Sequence, residues 1–513
     1  MKKQKKWVRS LFRQRALVIL LLLLQVAFLI YVLISSSLAS KIISSILVVF
    51  SLLVSIHVLT RRGTGAYKAT WVFLILLFPL FGGLFYLASN HQSSVRRFRK
   101  RTAYTEEKSK KLMDLPGTGY ASATGERSVY ERQFRYLQDF VGFPAYDGTR
   151  TKYLSPGEVK FEYLVGELEK AEKYIFLEYF IVHEGKMWDT ILEVLKRKAA
   201  EGVKVRLLYD DFGCFTLLPK NYPKILKEYG IECAIFNPFR PFLTTTQNNR
   251  DHRKIVSIDG KVAFTGGVNL ADEYINAIEK HGHWKDASVM IEGKAAWSFT
   301  LMFLQMWELT TGADEDYMQW YPWTDKPCDI EAEGFVLPYA DSPLDKENVG
   351  EHVYMQILNN AKDYVYINTP YLIIDDNMME TLSLAAKSGV DVRIVTPHKG
   401  DRWFVHTTTR SYYRELIKAG VKIYEYTKGF IHSKTFVSDD RIATVGTINL
   451  DYRSLYLHFE CGALMYDGEA VKELKEDFLK TLEICQPITA EDCKSNIFKE
   501  SLQDFLRIFA PLM

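Results

Sequence analysis

At 513 residues, 25% of them charged and 48% hydrophobic, the chain is long enough for about three domains and has the composition of a folded protein. Its six cysteines are scattered without a C-x-x-C pair, which excludes a zinc ribbon and, in a chain of this size, a disulfide framework. The net charge of +3 hides an asymmetry: residues 1–111 carry 19 Lys/Arg against 2 Asp/Glu, a net +17, which leaves −14 for the rest. A basic head on an acidic body points to a membrane-associated start and a separate globular part, and it argues against non-specific nucleic-acid binding.

Three uncharged apolar stretches come first, Ala16–Ile34, Ile42–Thr60 and Ala69–Ala88. Each approaches the ~20 residues a helix needs to cross the hydrocarbon core. Residues 1–90 are therefore expected to form an anchor of two to three transmembrane segments, making this a multi-pass protein of the cell membrane. The positive-inside rule gives no single orientation, because Lys2–Arg15 and Arg96–Arg101 both favour the cytoplasm. Pro79, Gly82 and Gly83 in the third stretch also permit a hairpin in place of a crossing. Residues 91–150 read as a basic juxtamembrane linker, with a helix over Arg132–Phe140.

From about residue 151 the pattern becomes strand, helix, strand, and it occurs twice. Tyr174–Val182 is a β-rich run, and Trp188, Ile191, Leu192, Leu195 and Ala199 follow at helical spacing. Gly202 ends that helix and Val203–Tyr209 is the next strand. Tyr364–Asn368, the face Met378/Leu382/Ala385, Gly389 and Val390–Val395 repeat the order. Residues 151–325 and 326–513 are read as tandem α/β units related by a pseudo-twofold axis. The amphipathic tail Phe498–Met513, counted with the second unit, is expected to pack on the core, with dimerisation or lipid contact as the alternatives.

Each repeat carries the pattern H-x-K-x4-D-x6-G-x2-N: His252, Lys254, Asp259, Gly266, Asn269, and His432, Lys434, Asp439, Gly446, Asn449. Residues i and i+2 share one face of an extended segment, so each histidine projects with its lysine. Two such copies suit phosphodiester exchange. One imidazole can attack phosphorus and form a phosphohistidine, and the other can move the proton. Lys254, Lys434, Asn269 and Asn449 can hold charge on the phosphate oxygens without a metal or cofactor. Asp259, before Gly260, and Asp439 read first as turn formers and second as salt-bridge partners, and as motif members they are grouped with the candidate catalytic residues. Asp286 and Glu460 are candidate carboxylates behind the rings. A lone His-x-Lys is usually a surface pair; two copies in register within a duplicated domain are not coincidence.

These residues resemble the phospholipase D superfamily, whose signature is this paired motif, and within it the bacterial cardiolipin synthases. The supporting strings are Asp251–Ile255 with Ile258-Asp259-Gly260, Thr369-Pro370-Tyr371, Gly429–Lys434 and Asn449–Ser454. The resemblance implies a mixed sheet flanked by helices in each repeat. It implies that two phosphatidylglycerols give cardiolipin and glycerol, with His252 as nucleophile and His432 as general acid/base. It matches Asp286 and Glu460 to the family's orienting carboxylates. The chain departs at Gly267 and Thr447, where serine is common. Membrane phospholipid is the expected partner and nucleic acid is not; the oligomeric state is left open. The competing readings are a phospholipase D that hydrolyses lipid, a membrane-tethered nuclease, and an inactive lipid-binding scaffold.

Overall fold

The computed structural model describes residues 37–61, 64–79, 81–90, 93–117, 129–238, 247–345, 347–494 and 496–512, with isolated positions between 23 and 34. Most of the first apolar stretch, 16–34, thus lies outside the described residues. The chain divides into two compact units.

The first unit holds helices α1 (Leu38–Thr60), α2 (Gly65–Leu77) and α3 (Phe81–Asn90). Val54, Val58, Trp71, Ile75 and Tyr86 form its core. The outward residues of α1 are also apolar, among them Ile42, Ile46, Val49, Leu53 and Ile56. Such a surface is costly in water and suits lipid. Among the described residues, one helix is long and apolar enough to cross a membrane, Lys41–Thr60. The third apolar stretch differs from expectation. It breaks at Phe78–Pro79 into helices of 13 and 10 residues. At 1.5 Å per residue, neither spans the ~30 Å hydrocarbon core alone. Pro79 stops the helix, and Gly82 lets α3 fold back on α2, since a Cβ there would lie 2.7 Å from the Leu74 carbonyl oxygen. The multi-pass expectation therefore loses its third crossing. The C-terminal tail does not follow the core-packing expectation. The helix Ile497–Ile508 buries no residue, and Thr70 Oγ1 donates to the Ile508 carbonyl at 2.7 Å. The last residues, Phe505 onward, belong with the apolar helices rather than with the second repeat.

The second unit contains both repeats and starts within helix α4 (Ser93–Met113). In the first repeat, β2 (Tyr174–Tyr179), β3 (Lys204–Asp210) and β4 (Glu232–Phe236) run parallel. Strands β5 (Ile255–Ile258), β6 (Val262–Gly266), β8 (Ser288–Gly293) and β1 (Thr149–Leu154) extend the sheet antiparallel, in the order β1-β8-β6-β5-β2-β3-β4. The second repeat follows the same plan: β10 (Tyr364–Asn368), β12 (Asp391–Pro397) and β13 (Lys422–Tyr426) are parallel, with β15 (Thr435–Ser438), β16 (Ile442–Gly446), β18 (Glu460–Tyr466) and β9 (Phe335–Asp341) antiparallel. One added strand, β19 (Cys485–Ile488), pairs with β13. Two short parallel pairs lie outside these sheets. One joins β7 (His283–Lys285) to β14 (Gly429–Ile431), and the other joins β11 (Leu372–Ile373) to β17 (Leu450–Asp451). Helices such as Lys186–Ala200 and Asp376–Lys387 cover the parallel strands with the apolar faces expected from their spacing. Gly202 and Gly389 end them at φ 96 and 98.

The motif aspartates belong to this scaffold. Asp259 sits at φ 52 in the β5–β6 turn. Its carboxylate accepts from the backbone N–H groups of Glu172, Lys173 and Tyr174 at 2.7–2.8 Å. Asp439 repeats this with Lys362, Asp363 and Tyr364 at 2.8–3.0 Å. Each thus lies at the far end of β5 or β15 from its histidine and ties the turn to the start of the central strand. A catalytic role for either is corrected to a structural one. Asp259→Ala leaves three amides without their charged acceptor and is expected to cost about 3 kcal/mol. The more exposed Asp439→Ala should cost less, about 1–2 kcal/mol. Thermal or denaturant unfolding in detergent measures both.

Candidate active site

The histidines lie where both sheets present the C-terminal ends of their parallel strands. His252 and Lys254 are not in a strand. They form the extended segment that leads into β5, whose first residue pairs with Glu178 near the end of β2. Arg253, pointing the other way, is buried against Glu178 with Nε–Oε1 at 2.6 Å. The i, i+2 rule holds: Lys254 Nζ donates to the His252 carbonyl, and Lys434 Nζ does so to that of His432. The histidines are 8% and 7% exposed, and both lysines are buried.

Each histidine is completed by the other repeat. His252 Nδ1 meets both oxygens of Glu460, at 2.9 and 3.0 Å. His432 Nδ1 meets Asp286 Oδ2 at 2.6 Å. The backbone enforces this crossing. Strand β14 runs parallel to β7, and the His432 N–H donates to the Lys285 carbonyl at 2.7 Å. Equivalently, the His252 N–H donates to the Phe459 carbonyl at 3.0 Å, and Phe459 N–H to that of Arg250 at 2.8 Å. Asp286 and Glu460 each hydrogen-bond a motif histidine, but that of the other repeat.

Burial is the largest influence on both imidazoles. It pushes His252 down to about 3 and His432 to about 4, against the pull of their carboxylates. Burial would raise Glu460 and Asp286, but their histidine partners and neighbouring charges outweigh it and hold both below the usual carboxylate range. The arrangement is therefore charged carboxylates accepting from neutral rings, which leaves each Nε2 to act on a substrate. Burial also pushes Lys254 down to about 8 and Lys434 to about 7, opposed by Glu460 and Asp286. Both lysines feel both carboxylates, as expected of one shared site.

The two asparagines differ. Asn269 Oδ1 accepts from Ile181 N–H at 3.0 Å and its Nδ2 donates to Tyr274 Oη at 2.8 Å, so both ends are committed to the protein. Asn449 Oδ1 is buried without a hydrogen-bond partner. The departures at 267 and 447 also acquire a reason. A Cβ at Gly267 would lie 2.1 Å from Asp286 Oδ1, so a side chain there would displace the carboxylate. Thr447 instead donates its hydroxyl to Glu460 Oε2.

Four further residues line the site. Tyr274 and Trp284 wall His432, at centroid distances of 5.5 and 5.2 Å. Phe180 stands edge-on to His252 at 5.1 Å. His458 lies 5.5 Å from the His252 ring, at the position that Trp284 fills in the other repeat, two residues before the carboxylate. Its Nδ1 is 3.8 Å from Glu460 Oε1 and has no hydrogen bond. The asymmetry between imidazole and indole is visible in the sequence once Asp286 and Glu460 are aligned. Among the described residues, His252, His458 and Glu460 form the one group with three metal-type donor atoms within 4.8 Å of one another. Glu460 already accepts from His252 and Thr447, so a cation there would compete with ring orientation.

A family described as "Cardiolipin synthase, PLD-like domain" matches residues 164–307 and 354–482. A second, "Phospholipase_D-nuclease N-terminal", matches residues 46–89. A cardiolipin synthase of Halalkalibacterium halodurans is 34% identical over 86% of this chain and 88% of its own length. One from Alkalihalophilus pseudofirmus is 35% identical with the same coverage. An uncharacterised Streptococcus mutans protein is 44% identical over 86% of this chain and 96% of its own. The crystal structure of a Haemophilus influenzae phosphatidylserine synthase superposes with a TM-score of 0.55 at 16% identity, covering 72% of this chain and 94% of that one; at that identity the likeness concerns the fold.

Two measurements probe the site. His252 and Glu460 should act as a unit: Glu460→Gln is expected to lower kcat by about 10²-fold or more, yet to add little on top of His252→Ala. Its effect on top of Asp286→Asn should be larger. A double-mutant cycle on kcat decides. The lysines lose charge as pH rises through their lowered values, so kcat/KM of wild type should fall above pH 7–8. Lys434→Arg, which stays charged, should move the onset of that limb from about pH 7 toward pH 8, where Lys254 still titrates, at a lower plateau.

Proposed function

The chain belongs to the bacterial cardiolipin synthases of the phospholipase D superfamily and is a phosphatidyltransferase, and we propose that it joins two phosphatidylglycerols into cardiolipin and glycerol through a phosphohistidine. The observation that carries the reading is the crossed pairing of two buried histidines with two carboxylates, beside two lysines.

Neutral His252 Nε2 attacks phosphorus of the first lipid. The P–O bond to its headgroup glycerol breaks, and protonated His432 gives its proton to the departing oxygen. A headgroup hydroxyl of the second lipid then attacks, returning its proton to His432 as the P–N bond breaks. Both rings are neutral in the free enzyme; the negative charge of a bound phosphodiester favours the imidazolium form of His432, which then carries the proton in the complex. Glu460 and Asp286 stabilise the imidazolium forms as they arise. Lys254, Lys434 and Asn449 face the equatorial oxygens, where charge builds in the transition state. Asn269 supports the reading indirectly, by holding the Ile181 backbone and Tyr274. The assignment of nucleophile to His252 follows the family resemblance. An N-terminal anchor that crosses the cell membrane more than once, with Ala16–Ile34 as a further crossing, would keep the enzyme beside these lipids.

Purified protein in phosphatidylglycerol vesicles is expected to release glycerol and form cardiolipin in equal amounts without nucleotide or added metal. His252→Ala and His432→Ala should each lower the rate by at least about 10³-fold. Phosphatidic acid as the main product would make the enzyme a hydrolase instead.

A further inference from the structure

Three large apolar side chains are partly exposed around the catalytic edge, each linked to a catalytic histidine by a short path through the chain and its contacts; Phe212 also carries the Arg250 guanidinium over its ring at 5.2 Å. Phe212 is 55% exposed, Trp403 68% and Ile278 46%. All three follow strands that end at the site: Phe212 comes two residues after β3, Trp403 six residues after β12, and Ile278 lies between β6 and β7.

The attachments are specific. Phe212 lies in the short helix Asp211–Cys214, which is clamped to the segment carrying Phe180. Val182 N–H donates to Cys214 Sγ at 3.2 Å, and a Cβ on Gly213 would lie 2.0 Å from the Phe180 carbonyl oxygen. Phe180 in turn touches the His252 ring. On the other repeat, Tyr371 Oη donates to Asp401 at 2.9 Å, two residues before Trp403. Tyr371 packs near Phe430, and Phe430 near His432. Ile278 follows two residues after Asn276, whose side chain bonds both the N–H and the C=O of Trp284 at 2.7 and 3.0 Å, and Trp284 walls His432. These side chains are thus presented outward by the elements that build the site.

We propose that Phe212, Ile278 and Trp403 form a lipid-inserting rim, through which the catalytic mouth enters the headgroup region of an anionic bilayer and receives the acyl chains of its substrates. This rests on the reading that the substrate is a two-chain phospholipid. Its phosphate must reach histidines that are more than nine-tenths buried, while its chains are far too long to follow it. The chains must therefore leave the site across the mouth, where an apolar rim lowers the cost of drawing the lipid part-way out of the bilayer. The charge beside Trp403 fits an anionic surface. Lys399 and Arg402 flank it and are exposed, and Asp401, 4.0 Å from Arg402, is also held by Tyr371; beside Ile278 the charges offset, Lys280 being paired with Glu273 next to the exposed Glu279. Tryptophan with flanking Lys and Arg is the usual composition of a membrane–water interface.

The test uses the full chain in vesicles of phosphatidylglycerol and phosphatidylcholine. The emission difference between wild type and Trp403→Phe isolates Trp403 from the other eight tryptophans. That component should be quenched by lipids brominated near the headgroup end of the chain and spared by aqueous iodide. Quenching by iodide alone, or by neither agent, would overturn the rim, the second result meaning that protein covers it. In parallel, Phe212→Ser/Ile278→Ser/Trp403→Ser should lower kcat/KM for vesicular long-chain phosphatidylglycerol relative to a monomeric short-chain analogue by about tenfold. An unchanged ratio would overturn the rim. The fluorescence arm needs no turnover, so if wild type acts on neither lipid the reaction assignment fails while the rim is still decided.

Discussion

The exchange of carboxylates between the repeats is the constraint on which the rest of this structure depends. Neither repeat can charge or orient its own imidazole, because the acceptor behind each ring comes from the other one. Two carboxylates and two lysines are buried where an unpaired charge would cost several kcal/mol. They are tolerated because each lies within reach of its opposite. The pairing of β7 with β14, and of Arg250–His252 with Phe459, fixes that reach to within a hydrogen bond. The exchange also explains why the motif occurs twice in one chain. A single copy would bury a histidine with no acceptor and a carboxylate with no donor.

The two halves are alike in plan and different in detail, and the differences follow the carboxylates. Asp286 lies so close to residue 267 that only glycine fits there, whereas Glu460 accepts a hydroxyl from Thr447. His432 is walled by Tyr274 and Trp284, His252 by Phe180 and by a second imidazole, His458. Two rings that look interchangeable in the motif therefore sit in different surroundings, as expected of groups with different tasks in one reaction. Near-complete burial of both also bears on the choice of acceptor. In the proposed reaction, a site this buried would protect a phosphohistidine from hydrolysis until a lipid hydroxyl arrives.

Much of this was legible in the residues alone. The paired H-x-K, the tandem α/β order and the helix-ending Gly202 and Gly389 all reflect local rules, namely spacing and backbone conformation. Asp286 and Glu460 were visible as candidates, but not the crossing between them, because which repeat a side chain meets is set by pairing between distant strands. Asp259 and Asp439 illustrate the opposite risk. Their place in the motif suggests chemistry, yet their carboxylates bind backbone amides at the other end of the strand. The third apolar stretch misled for a simpler reason. It is long and uncharged enough for a crossing, but Pro79 and the Gly82 contact divide it into two short helices. The exposed rim side chains could not have been found from sequence, where Phe212 and Trp403 look like any other aromatic beside a strand.

The central claim is that the crossed site works through a covalent bond between one motif histidine and the phosphatidyl group. A phosphatidyl ester with a good leaving group, such as p-nitrophenol, needs no general acid to depart, so its first step survives without His432. Rapid quenching of His432→Ala with this substrate, followed by peptide mass spectrometry at neutral to alkaline pH, measures the adduct directly. The account predicts a phosphatidyl group on His252 in close to one copy per active chain, and none in His252→Ala. Release of p-nitrophenol with no adduct on either histidine would contradict it.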